Sequence, residues 1–288
     1  MKKLSLVLVL TVLLGLAGCS APQPTPEIIA TTKPVYDFTT YLCENTDLSI
    51  GLLISEGVSC LHDYSLNVNQ VKMAENAQVM IISGAGLEEF MQEMVDGCDT
   101  VIDSSKDIPL LECAEEHDHE HHHHEEDSHI WLSPGNAKVM AQNICDGLCL
   151  AYPDQTDIFQ GNLTTLLAQL DELQRYGEET LSSLSCREMV TFHDGFGYFA
   201  QAFDLTIAAA IEEESGSEAS AQELIGLIQL MQSRNIPSVF TEINGSASAA
   251  SIICAEIGAV SYALDMGMSG NYFDIMRYNI NTVKEALG

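Results

Sequence analysis

Residues 154–184 read DQTDIFQGNLTTLLAQLDELQRYGEETLSSL, with apolar side chains at Ile158, Leu163, Leu166, Leu167, Leu170 and Leu173 in steps of three and four. That spacing is one face of a helix. Pro153, just in front, suits a first helical turn, so the stretch predicts a single helix over 154–184. On either side of it the chain repeats one pattern of apolar run, turn and amphipathic segment. Before it, strands are expected over 28–31, 48–54, 79–83 and 100–103, with helices over 35–43 and 67–75. After it, strands are expected over 189–192, 205–209, 238–241 and 259–264, with helices over 197–203, 220–234, 247–256 and 272–286. Alternation of this kind builds a parallel sheet with helices on its faces. The expectation is an α/β chain of two lobes, 27–153 and 185–288, joined by a stiff helix that opposes wide opening.

The composition narrows the partners. The chain has 288 residues, 46% of them hydrophobic, with 42 acidic against 11 basic side chains and a formal charge of −31. A disordered or collagen-like chain is excluded, and so is a basic surface for nucleic acid or anionic lipid. Cations are the natural ligands. At the N-terminus Lys2 and Lys3 precede an apolar run over 4–14, too short to span a bilayer and right for an export signal over 1–18. Ala17-Gly18-Cys19 resembles the lipobox of bacterial lipoproteins, which makes Cys19 the lipidated residue of a tether over 19–26 held extended by Pro22, Pro24 and Pro26. The body is then expected outside the cytoplasm, on the cell membrane.

Histidine placement carries the chemistry. His117, His119, His121, His122, His123 and His124 lie in an acidic low-complexity run over 115–127, expected to be a solvated loop that binds metal weakly. The other three, His62, His129 and His193, each follow an expected strand or lead into a helix, and ligands of open α/β sheets gather at the carboxyl ends of strands. Three imidazoles and one carboxylate would close a tetrahedral site for zinc. A lone histidine is more often a core residue than a ligand, and spacings of some 65 residues, unlike HExxH, do not show that the three converge. The eight cysteines after Cys19 form no CxxC pair and are read mostly as small buried side chains. Cys60, two residues from His62, is read as a buried thiol or a disulfide partner ahead of a soft donor to the metal.

Four segments carry a resemblance. His62-Asp63-Tyr64-Ser65, His129-Ile130-Trp131-Leu132-Ser133-Pro134, the run from Thr191 to Phe199 (TFHDGFGYF), and Asp265 followed by Tyr272-Phe273-Asp274-Ile275-Met276-Arg277-Tyr278-Asn279 resemble the zinc/manganese ABC-transporter solute-binding lipoproteins, cluster A-I. The similarity extends over residues 27–287. It implies two (β/α)4 lobes, a backbone helix and one metal in the interlobe cleft, with His62, His129, His193 and Asp265 as ligands. A histidine at the third position implies Zn²⁺ ahead of Mn²⁺. The pattern differs around the first ligand, where Cys60-Leu61 and Ser65-Leu66 stand in place of the family's usual prolines. Glu242, at the end of an expected strand, is a candidate to hydrogen-bond a ligating imidazole, and the glutamates over 212–214 are expected at the cleft rim.

The resemblance implies a binding protein rather than an enzyme: a monomer that captures Zn²⁺ and delivers it to a membrane permease. A metallohydrolase with Asp194 or Glu242 as base, a zinc reservoir or adhesin, and manganese or iron capture are the alternatives.

Overall fold

The computed structural model describes residues 26–55, 64–112, 126–212, 219–243, 245, 247–268 and 270–288. Four strands of the first half, β1 (Ile28–Ala30), β2 (Ile50–Leu52), β3 (Val79–Ile82) and β4 (Val101–Asp103), form a parallel sheet in the order β2-β1-β3-β4. In the second half β5 (Glu188–His193), β6 (Thr206–Glu212), β7 (Ser238–Glu242) and β8 (Val260–Leu264) repeat that order as β6-β5-β7-β8. All pairings are parallel, as the alternation requires. The helices are α1 (Lys33–Leu42), α2 (Val68–Glu75), α3 (Gln92–Gly97), α4 (Pro134–Ala151), α5 (Thr156–Leu181), α6 (Gly197–Ala202), α7 (Ala221–Arg234), α8 (Ser248–Ile257) and α9 (Tyr272–Leu287).

Local chemistry sets the boundaries. Asn67 and Ser220 stand outside their helices as N-caps, and each closes a capping box with the side chain three residues on, Gln70 and Glu223. Ser133 caps α4, with Pro134 in its first turn. The strand expected over 48–54 shortens to β2 because Leu53 and Ile54, although buried, donate their N–H groups to Ala30 and Thr31 as loop residues. The long helix begins later than its apolar pattern suggests: Pro153–Gln155 forms a 3₁₀ turn, and α5 follows. Its buried face starts at Phe159 rather than Ile158 and continues through Leu163, Leu166, Leu170, Leu173, Gly177 and Leu181.

Two of the links between the halves run through helices. Helix α5 is one, bonded to the first half through Asn162 Nδ2, which donates to the carbonyls of Leu42 and Glu44, and to the second through Tyr176, whose hydroxyl lies 2.6 Å from Asn281 Oδ1. The start of α9 is the other, and the sequence pattern did not foretell it. Asp37 Oδ2 accepts the Tyr272 N–H at 2.9 Å, the Tyr272 hydroxyl donates to the Trp131 carbonyl at 2.8 Å, and Phe38 meets the Tyr272 ring edge-on at 4.8 Å. One continuous core accordingly includes Ile28, Phe38 and Trp131 from the first half with Phe199, Tyr272 and Met276 from the second. A smaller core, around Val190, Leu227, Met231 and Ile253, lies within the second half. Among the described residues no helix is long and apolar enough to cross a membrane.

Candidate metal centre

The second sheet presents its carboxyl ends in register. Thr191 of β5 pairs with Phe240 of β7, and Glu242 at the end of β7 pairs with Leu264, the last residue of β8. His193 therefore ends β5, Glu242 ends β7, and Asp265 follows β8, side by side. In the order β6-β5-β7-β8 the crevice between β5 and β7 is the topological switch point where ligands of open α/β sheets bind. His193 and Glu242 flank it, and both are buried.

His129 reaches the same place from the first half. It precedes the 3₁₀ turn Ile130–Leu132 that leads into α4, and its ring stands 5.2 Å from that of His193, nearly perpendicular at 80°. Each histidine is only 5% exposed, so each imidazole sits out of bulk water, where a cation would meet little competition from solvent. Backbone packs against them. A Cβ on Gly195 would stand 3.0 Å from His129 Nδ1 and Cε1 and 2.6 Å from Met266 Cε, so the chain after His193 passes directly over the His129 ring and meets the residue after Asp265.

Asp265 is placed by its main chain. Its N–H donates to Asn279 Oδ1 at 2.9 Å, and its carbonyl accepts from Asn279 Nδ2 at 2.8 Å, a double clasp from a fully buried side chain of α9. Burial raises the Asp265 pKa, with the Gly267 N–H, 2.8 Å from Oδ1, acting against it. A carboxylate kept partly from water gains from a neighbouring cation.

His129 and His193 thus come together, and Asp265 reaches the same end of the sheet. Among the described residues no three His, Cys, Asp or Glu side chains are close enough to one another to hold an ion. His62 lies outside the described residues, as do Cys19, Cys60, Glu213, Glu214 and His117, His119, His121, His122, His123 and His124. Buried imidazole nitrogens with a carboxylate nearby are the donor chemistry that suits zinc. Of the six cysteines described, all free thiols, only Cys43 and Cys145 are buried, and burial pushes both up to about 12. The remaining four are half-buried, which corrects the expectation that most are core residues.

The acidic run, expected to be solvated throughout, ends in a residue of the site. Asp127 closes the acidic run over 115–127, yet it is buried, and its Oδ1 lies 2.8 Å from His129 Nδ1 and accepts the His129 N–H at 2.9 Å. The run ends in structure because Glu126 bridges to Glu112 and the Asp127 N–H donates to the Leu111 carbonyl at 2.8 Å. A signal was available in sequence, a carboxylate two residues ahead of a candidate ligand, but the acidic residues preceding it masked it.

Comparison with known proteins bears on the whole chain. Residues 28–286 match the family described as ZnuA, zinc-uptake complex component A, periplasmic. The zinc-binding lipoprotein AdcA of Streptococcus pneumoniae strain R6 is 29% identical over 307 residues, covering 99% of this chain and 61% of the relative. The chain thus spans about three-fifths of that relative's length. Among solved structures, a crystal structure of ZnuA superposes with a TM-score of 0.81 at 28% identity, covering 91% of this chain and 98% of the other. The Zn(II)-bound AdcA of Streptococcus pneumoniae superposes with a TM-score of 0.77 at 27% identity, covering 91% and 58%. A match across residues 28–286, on a fold with two parallel sheets and His193 at a switch point, places the chain in the ZnuA family of periplasmic zinc-uptake components.

Proposed function

We propose that this chain is the extracytoplasmic zinc-binding component of a metal-ion ABC transporter, holding one Zn²⁺ through His62, His129, His193 and Asp265 and delivering it to a membrane permease. The observation that carries this is the pairing of two buried imidazoles, His129 and His193, contributed from opposite halves of the chain. Four protein ligands leave no open position for a substrate, so the site binds and does not catalyse. Three imidazoles favour Zn²⁺ over the oxygen-seeking Mn²⁺. Glu242, buried beside His193 on the next strand, supports the ligands through hydrogen bonding.

The protein acts as a monomer anchored through lipidated Cys19, with its signal over 1–18, tether over 19–26, lobes over 27–153 and 185–288 and linking helix over 154–184. The loop histidines His117 to His124 collect metal weakly beside the main site. Release proceeds through a small loop shift, because both α5 and the Tyr272 contacts oppose wide opening.

Calorimetric titration of the chain from Ser20 onward with Zn²⁺ and Mn²⁺ tests this. The loop deletion removes residues 115–125 only, so that Asp127 stays. One tight zinc site that survives the deletion, discriminates against Mn²⁺ and is lost in His193→Ala is the expected result. Binding that disappears with the loop and ignores His193 would leave a zinc reservoir instead, and equal affinity for Mn²⁺ would remove the zinc assignment.

A further inference from the structure

We infer that Asp127 is the positioning residue that decides which nitrogen of His129 meets the cation, an inference that rests on the metal-capture reading of this site. A single oxygen, Asp127 Oδ1, faces both the main-chain N–H of His129 at 2.9 Å and its ring Nδ1 at 2.8 Å. A carboxylate only accepts. The neutral imidazole has one N–H, and the acceptor at Nδ1 draws it there, leaving the Nε2 lone pair for the metal. The same contact places a carboxylate behind the ring and fixes its orientation.

The main chain of Asp127 is itself held from both halves of the chain. The Asp127 N–H donates to the Leu111 carbonyl at 2.8 Å, and its own carbonyl accepts from the Tyr198 hydroxyl at 2.9 Å. That hydroxyl also accepts the Leu111 N–H at 2.9 Å. Tyr198, buried in α6, lies five residues beyond His193, so one side chain ties the His193 segment to the residue that orients His129. Gly197 leaves the room: a Cβ there would stand 3.1 Å from Asp127 Oδ2. The His129 edge that packs over Gly195 is the Nδ1–Cε1 edge, which agrees with Nε2 as the nitrogen given to the cation.

The test uses the full chain labelled with ¹⁵N-histidine, with Asp127→Ala, Asp127→Asn and His129→Ala beside it. Long-range ¹H–¹⁵N spectra of the metal-free protein, at a pH where the imidazole is neutral, should show His129 as the Nδ1–H tautomer. Asp127→Ala should populate the Nε2–H tautomer and weaken zinc binding roughly 10- to 100-fold. Asp127→Asn, whose amide oxygen still accepts from Nδ1–H, should keep the tautomer and recover much of the affinity. The backbone bonds to Leu111 and Tyr198 survive both substitutions, and the wild-type spectrum decides the point even if Asp127→Ala folds poorly. An Nε2–H tautomer in the wild type overturns the inference, as does Asp127→Ala binding zinc within twofold of wild type while His129→Ala abolishes binding. Zinc affinity indifferent to His129→Ala overturns the metal-capture reading, and the inference with it.

Discussion

Trp131 and Met266 are joined across the site: the Trp131 indole N–H donates to the Met266 carbonyl at 2.7 Å, linking positions 135 residues apart in sequence. Trp131 stands two residues after His129, and its ring lies 5.4 Å from the imidazole. Met266 stands directly after Asp265. One buried hydrogen bond therefore couples the segment of His129 in the first half to the segment of Asp265 in the second.

Replacing Trp131 by Phe removes that donor and leaves a buried carbonyl unpaired, at a cost of about 1–3 kcal/mol. The unfolding midpoint should fall. Zinc dissociation, followed by transfer to a fluorescent chelator, should also accelerate, because the Asp265 segment loses its tie to His129. Lower stability with an unchanged dissociation rate would show that the bond supports the fold without controlling release.

Gly177 offers a prediction whose sign separates two effects. It lies buried in α5, with the Phe203 ring seated where its Cβ would go. Helix propensity alone makes Gly177→Ala stabilising by roughly 1 kcal/mol, whereas forcing Phe203 off the helix costs about 1–3 kcal/mol. Overpacking should win, giving a lower midpoint in urea with zinc affinity unchanged. A stabilised variant would mean that the Phe203 ring yields to the added methyl at little cost.

Much of this architecture is legible in sequence, and the exceptions share a cause. Val79 to Ile82 and Met189 to Phe192 announce themselves as short, mostly apolar runs, and the leucines of α5 as a helical period. Asn67 and Ser220 announce their helices through capping chemistry. Asp127, Trp131–Met266 and the Tyr272 bridge follow no period, since each depends on how loops, turns and helix ends meet in space. The resemblance supplied candidate ligands by motif, but not the hydrogen bonds that frame them, whether from residues inside those motifs such as Asn279, Trp131 and Tyr198 or outside them such as Leu111 and Asp127.

Glu88 is a further residue whose burial the sequence conceals. Its carboxylate accepts from the Thr31 hydroxyl at 2.6 Å and from the N–H groups of Ser83 and Gly84 at 2.7 and 3.0 Å. Burial nevertheless outweighs these bonds and pushes its pKa from 4.5 up to about 7. The folded chain thus holds this proton more tightly than the unfolded one. The resulting stabilisation is full below about pH 4.5 and is lost as pH rises through 7, a change of roughly 3 kcal/mol. Urea unfolding of wild type and Glu88→Gln across that window should give curves that differ by this slope. Parallel curves would show that Glu88 titrates normally.

The central claim is that zinc is held by imidazoles from both halves of the chain with a carboxylate and no thiolate. Zinc K-edge X-ray absorption on the chain lacking residues 115–125, loaded with one equivalent of Zn²⁺, tests it most directly. The account predicts a four-coordinate first shell of nitrogen and oxygen at about 2.0–2.1 Å, with imidazole outer-shell scattering that weakens in His193→Ala. A sulfur shell at about 2.3 Å, or a spectrum that His193→Ala leaves unchanged, would contradict it.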